Sequence, residues 1–276
     1  MIDTNKIIDA AKNLFPFPIV ARKLLMAIET DASAEQITRI ASLDPSITAN
    51  IITMANSPFY AARREITDVI HATTRIGFET VRQIAITKGL SNLFSRTDLT
   101  DKLLWEHSIA VSILNKQLAR RIGGVSESTA YTIGLLHDFG KVILKRAIPK
   151  DYNTVLEICY NENKEVRAVE LDILGMTHDH FIGEIAKIWN LGDIITTALS
   201  NHHGPYDIIC SEASSYAPIT ALSDAIANSE GIGRKKPLNI DIEKIEPFKL
   251  TGIDMKDVKF VREKGLKEFK DTINFF

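Results

Sequence analysis

Apolar residues recur at three- and four-residue spacing along nearly the whole chain, and runs that alternate every second residue are scarce. That period predicts amphipathic helices, so the fold class expected is all-α. Helix starts show in the polar residues able to satisfy free amides. Ser33 with Gln36 makes a capping box ahead of Ile37, Ile40 and Ala41. Asp44-Pro45 supplies a cap and a first-turn proline for a helix reaching about Ala55. A short helix begins near Thr67 and stops at Gly77, and a longer one follows with Val81, Ile84, Leu90 and Leu93. Beyond these, helices are predicted over about 101–122, ended by Gly123-Gly124, and 127–138, broken at Gly140. Others cover about 164–174, 179–189, 193–202 (ended by Gly204-Pro205) and 218–229. The stretch Gly231 to Pro237, GIGRKKP, reads as a solvated loop. Asp254 caps a last helix with Val258, Val261 and Phe269.

Composition narrows the class. With 276 residues, 45% hydrophobic and 25% charged, the chain is an ordinary globular sequence and not a disordered or low-complexity one. A net charge of -2 leaves no basic excess, so no nucleic-acid partner is expected. No apolar run approaches the ~18 residues of a membrane span, and no signal-peptide pattern opens the chain. Two cysteines, Cys159 and Cys210, are too few for a disulfide framework, which fits a reduced, cytoplasmic protein. SRTDLTD interrupts the periodicity near 95–100. The expected organisation is a helical region over 1–97, a bundle over 98–230, and a loop and helix over 231–276 packing back on the bundle.

The histidines change the picture. His107 follows Leu104 by three and precedes Val111 by four, and His178 precedes Ile182, Ile185 and Trp189 at helical spacing. His202 continues the face of Ile195, Ala198 and Leu199. All three therefore point inward, where an unpaired imidazole costs about 1–3 kcal/mol. Each, taken alone, reads as a core histidine bonded to a backbone carbonyl. Together with His137, Asp138 and His203 at helix ends, and Asp224 among Ala217, Thr220, Ala221 and Ala227, they form a set that a cation would neutralise. Imidazole and carboxylate without thiolate suit a divalent transition metal.

In order, WEHS (His107), LLHDFGK (His137, Asp138), GMTHDHFIG (His178), NHHGP (His202, His203) and ALSDAIA (Asp224) resemble the HD metal-dependent phosphohydrolase superfamily. FPFPIVARKLL, LDPSITANIITMANSPFY and IHATTRIGFETVRQIAIT resemble its HDOD branch, so the likeness spans roughly 14–230 and marks 1–97 as the HDOD-specific region. The resemblance implies an HD-like bundle. It assigns His107, His137 and Asp224 to a first metal, Asp138 to a bridging position, and His178, His202 and His203 to a second. Iron or manganese is the first expectation and zinc or nickel the alternative, as one or two ions. His178 is preferred to His180 because it stands eleven residues before Trp189. The glycine found four residues after this ligand in the family is here Ile182, with Gly183 next.

For chemistry, Asp138 and Lys141 are the catalytic candidates. In related phosphodiesterases a lysine at the Lys141 position contacts substrate phosphate, and an ordinary exposed lysine is the alternative. The cyclic-dinucleotide branch carries a GYP motif after its histidine pair, whereas this chain reads HHGPYDIIC. The resemblance thus implies a bacterial signal-transduction module, regulatory or interacting, that retains a metal site. A signalling protein acting in trans and a phosphate-containing small ligand are the expected partners, with no membrane. An active metal-dependent phosphohydrolase is the alternative, and di-iron oxygenation on the same fold is a third class.

Overall fold

A computed structural model describes residues 4–14, 16–29, 32–60, 65–95, 97–162, 164–207, 213–234 and 236–275. Among them are sixteen α-helices, three short 3-10 turns and no strand, so the chain is all-α. No helix among the described residues is long and apolar enough to cross a membrane. Contacts divide the chain into two compact units, Met1–Pro16 with Arg96–Arg262, and Phe17–Ser95 with Glu263–Phe276. The first helix, α1 (Thr4–Leu14), belongs to the larger unit.

The smaller unit contains α2 (Ile19–Glu29), α3 (Ala34–Ala41), α4 (Pro45–Ala55), α5 (Val69–Ile76) and α6 (Phe78–Ser91). The predicted caps form. Gln36 donates its amide to Ser33 Oγ at 3.3 Å, and Ser33 donates its own to Gln36 Oε1 at 2.8 Å. Asp44 Oδ1 accepts from the amides of Ser46 at 2.8 Å and Ile47 at 3.3 Å. The cap of α5 is Asp68, one residue after the predicted start near Thr67. These starts aim one stripe of each helix inward. Ala21, Leu24, Ile37, Ile47, Ile51, Val81 and Ile84 are buried, and each large aliphatic side chain among them contributes about 1.5–3 kcal/mol. Asn50 Nδ2 donates to the carbonyl of Phe275 at 2.9 Å, tying the last turn of the chain to α4.

The larger unit is built on α7 (Leu99–Ile122) and α8 (Glu127–Leu136), antiparallel neighbours joined at Gly123-Gly124. Then come α9 (Phe139–Ala147), α10 (Pro149–Glu162), α11 (Val166–Leu174), α12 (His178–Trp189) and α13 (Asp193–Ser200). Last are α14 (Ala213–Ser229), α15 (Glu246–Thr251) and the start of α16 (Met255–Thr272), whose residues from Glu263 on belong to the smaller unit. Helix α14 packs on α7, α8 and α13, while α12 packs on α9, α13 and α1. Asp254 accepts from the Asp257 amide at 2.8 Å and caps α16 as expected.

Three expectations are corrected. Gly140 does not break a helix. The break is His137-Asp138, where Asp138 leaves helical geometry (φ -94°, ψ 2°), and Gly140 lies inside α9. A Cβ on Gly140 would stand 2.3 Å from the His178 carbonyl, so the glycine is there for close approach to α12. Helix α10 has no counterpart in the expected elements; only Tyr152 and Val155 of it are buried, and Pro149 at its start is the available signal. Helix α14 begins at Ala213, so Pro218 lies within it instead of opening it. Cys159 is a free thiol, and Cys210 lies outside the described residues.

Candidate metal centre

Each candidate side chain owes its position to a local feature of the chain. The two-residue break between α8 and α9 turns His137 and Asp138 into the bundle. His178 is the first residue of α12, His202 and His203 follow the end of α13, His107 is mid-α7 and Asp224 is mid-α14. Asp138, His178, His202 and His203 each present one donor atom, all within 4.8 Å of one another. His107, His137 and Asp138 do the same, so Asp138 is common to both groups. Its Oδ1 lies 3.3 Å from His178 Nε2, and its Oδ2 lies 3.6 Å from His137 Nε2 and 4.0 Å from His107 Nε2. Asp224 Oδ1 lies 2.8 Å from His107 Nε2 and 4.0 Å from His137 Nε2. All seven predicted residues converge. His180 is exposed, and His71 stands in the smaller unit beside Asp68.

The imidazoles are held from behind. His107 Nδ1 meets the Ile232 carbonyl at 3.2 Å, His137 Nδ1 that of Gly134 at 2.7 Å, and His202 Nδ1 that of Leu199 at 2.8 Å. His178 Nδ1 instead meets a carboxylate, Glu170 Oε2, at 2.7 Å. An outer partner on Nδ1 fixes the ring and leaves Nε2 as the free donor, the arrangement usual for metal-bound histidine. The core-histidine reading is thus half of the answer, since the carbonyl bonds exist and the opposite nitrogens face one another.

The loop over Gly231 to Pro237 corrects another expectation. It is not merely solvated, because its Ile232 carbonyl orients His107. A Cβ on Gly233 would come within 2.5 Å of the Leu103 carbonyl and of His107 Cβ, so the loop lies directly on α7. The family's displaced glycine also has a place, since Gly183 packs against Ser200 of α13. Lys141 is not an ordinary surface lysine: its Nζ lies 2.7 Å from Asp138 Oδ1 and 2.8 Å from Oδ2. Sequence does not distinguish Glu170, because an acid in VRAVELDIL looks like any helical surface acid.

Electrostatics follow from burial. Burial pushes His137 and His202 down, the latter well below the ordinary imidazole value with His203 adding to it. Burial and the charge of His178 take His203 down to about 4. These three are neutral near pH 7, the form that ligates metals. His178 goes the other way. Burial and Lys141 work against its charge, yet Glu170 and Asp138 carry it up to about 9. Burial would raise the Asp138 and Asp224 carboxyls, but Lys141 and His137 outweigh it at Asp138, and His107 does so at Asp224.

The donor set fits a cation. Nε2 of His137 and of His202 are buried without a hydrogen-bond partner, and orphaned imidazole nitrogens beside two ionised carboxylates are what a divalent ion satisfies.

Residues 14–205 match the HDOD domain family. Among curated proteins, Ribonuclease Y of Staphylococcus epidermidis is 28% identical over 190 residues, 67% of this chain and 30% of its own length. The chain spans well under half the length of the curated relatives it matches. Among solved structures, an HDOD domain protein of Geobacter sulfurreducens superposes with a TM-score of 0.80 at 21% identity, covering 99% of both chains. A candidate phosphohydrolase of Shewanella amazonensis superposes at 0.74 and 20% identity over 98% of this chain and 96% of its own. A candidate signal transduction protein of Marinobacter aquaeolei gives 0.72 at 20% identity, covering 94% of this chain and 58% of its own. At such identities the superpositions establish the fold, and the match over 14–205 establishes the family: this chain belongs to the HDOD domain family.

Proposed function

We propose that this chain is a signal-transduction module whose larger unit holds one or two divalent transition-metal ions, iron or manganese before zinc or nickel. His107, His137 and Asp224 hold the first position, Asp138 bridges, and His178, His202 and His203 hold the second. The observation that carries the metal reading is the pair of buried, partnerless Nε2 atoms on His137 and His202 within a set already aimed inward. The signalling role rests on family membership and on the Marinobacter protein's name. Its partner acts in trans.

A metal pair at such a site supplies a water of lowered pKa and a clamp for phosphate oxygens. The second reading, a phosphohydrolase, is favoured by one observation. Asp224, Lys141 and His203 are partly exposed on the otherwise buried cluster, leaving solvent a side to enter by. In that reading Lys141 moves from Asp138 to a substrate phosphate, and Asp138 orients the water. Against it, rate also requires groups that hold the ester in line. Gly204, Pro205 and Tyr206 follow the histidine pair where the cyclic-dinucleotide branch has GYP, and 208–212 lie outside the described residues. The test is metal analysis of protein purified without added metal, then a phosphoester panel including cyclic dinucleotides, with Asp138→Ala as control. Bound metal without turnover is the expected result. Turnover of ~1 per second or faster, lost in the control, replaces the signalling module with an enzyme.

A further inference from the structure

We propose that Glu170 is a positioning residue that makes the second metal position depend on its charge, through His178; this rests on the metal reading above. Four of the histidines in the candidate site have a named acceptor behind Nδ1. Three of these acceptors are backbone carbonyls, and His178 alone among the four has a carboxylate. Glu170 is completely buried and spends both oxygens. Oε2 accepts from His178 Nδ1 at 2.7 Å and from the His178 amide at 2.9 Å, and Oε1 accepts from the Tyr152 hydroxyl at 2.8 Å. Tyr152 is itself buried, so the three side chains form one dry relay from α10 through α11 to the first turn of α12.

The relay does two kinds of work. The amide contact caps α12, since the first amides of a helix lack intrahelical partners and favour a negative group. That part is structural, and any acceptor oxygen would perform it. The contact with Nδ1 is different. An anion behind the ring raises the donor strength of Nε2, which lies 3.3 Å from both Asp138 Oδ1 and His203 Nε2. Carbonyls behind His107, His137 and His202 fix those rings without adding charge. The two metal positions are therefore inequivalent, and the charge that favours the second comes from a residue outside the ligand set.

The isosteric variant Glu170→Gln separates the two roles, because its carbonyl can still cap α12 and accept from Nδ1 while the charge is gone. Manganese alone is the probe, added to the full chain and followed by stoichiometry and by electron paramagnetic resonance. Wild type is expected to fill both positions and give the signal of a spin-coupled manganese pair. In E170Q the second equivalent should weaken about 10–100-fold, leaving an isolated manganese signal while the first equivalent is unchanged. A merely structural role would shift the melting temperature without removing the coupled signal. Should E170Q fail to fold, Tyr152→Phe carries the test, with a smaller loss confined to the second equivalent. A coupled pair in E170Q at wild-type manganese concentrations, or equal weakening of both equivalents, overturns the proposal while leaving the metal reading intact. Wild type that takes up no manganese sinks both.

Discussion

The two units of this protein solve the same packing problem with different cores. In the unit over 17–95 the buried residues are apolar, mostly aliphatic with Phe17, Met54 and Phe94, plus a few hydroxyls and Arg82. In the larger unit every buried aspartate, glutamate and histidine of the described residues is found, among them Asp101, Glu170 and five of the seven residues of the candidate cluster. Some of these acids are neutralised within the chain. Asp101 meets Lys145 at 3.2 Å and Arg146 at 3.0 Å, and Asp179 meets Arg167 at 3.1 Å. The inner faces of His137 and His202 are not. A helical bundle needs no such groups to fold, and leaving them unsatisfied is costly. The difference teaches where the proposed metal belongs: only the larger core, among the described residues, holds buried imidazole nitrogens without a partner, and a cation would satisfy those two.

That contrast can be broken by metal. Saturating manganese, at about 100 times its dissociation constant, should stabilise the protein by about 2.7 kcal/mol relative to chelated protein. Asp138→Ala should erase the difference. Equal melting curves with and without chelator would make the polar core as inert as the aliphatic one.

A smaller effect tests whether backbone spacing serves the site. Gly140→Ala forces a methyl against the His178 carbonyl and should cost about 1–3 kcal/mol through overpacking. It should also weaken manganese binding, since the ring of His178 moves with its backbone. Titration calorimetry that finds normal affinity in a destabilised G140A protein would show α9–α12 contact to be independent of the site.

The smallest effect belongs to the other unit. Asp44→Ala removes a helix cap and should cost about 1 kcal/mol, by the same amount in manganese and in chelator. Burial works to raise the Asp44 carboxyl, but the bonds from Ser46 and Ile47 win and hold it below its ordinary 3.8. A depressed folded pKa contributes stability that is present above the unfolded value and lost as pH falls through the folded one. Denaturation midpoints should therefore separate wild type from D44A least at acid pH, below that lowered value. Asp44→Asn keeps the cap and should not show that pH dependence. A D44A penalty that changes with manganese would erase the distinction between the units.

Much of this was legible in the residues. The caps at Ser33 and Asp44 are local devices, satisfied within three residues, so sequence alone carries them. The inward aim of His107 and His178 follows from helical period, whereas α13 ends at Ser200 and His202 points inward from the turn after it; the ligand types follow from the ordered motifs. What lay beyond reading were partners distant in sequence or anonymous in type. The carbonyl of Ile232 has no side-chain signature, yet it orients His107 across 125 residues. Glu170 resembles a surface acid until α11 is packed beside the start of α12.

The sequence by itself determined an all-helical chain, most of its helix starts, and which donors are present, because period, capping and side-chain chemistry act over a turn or two. Only the tertiary structure decided what stands behind His107 and His178, which free nitrogens face one another, and that Gly140 exists for contact and not for a break. Those are relations between helices. The Ile232 carbonyl stands 3.2 Å from His107 Nδ1, Glu170 Oε2 2.7 Å from His178 Nδ1, and His203 Nε2 3.3 Å from His178 Nε2. Each depends on how separate elements pack, and no rule acting within a turn specifies it.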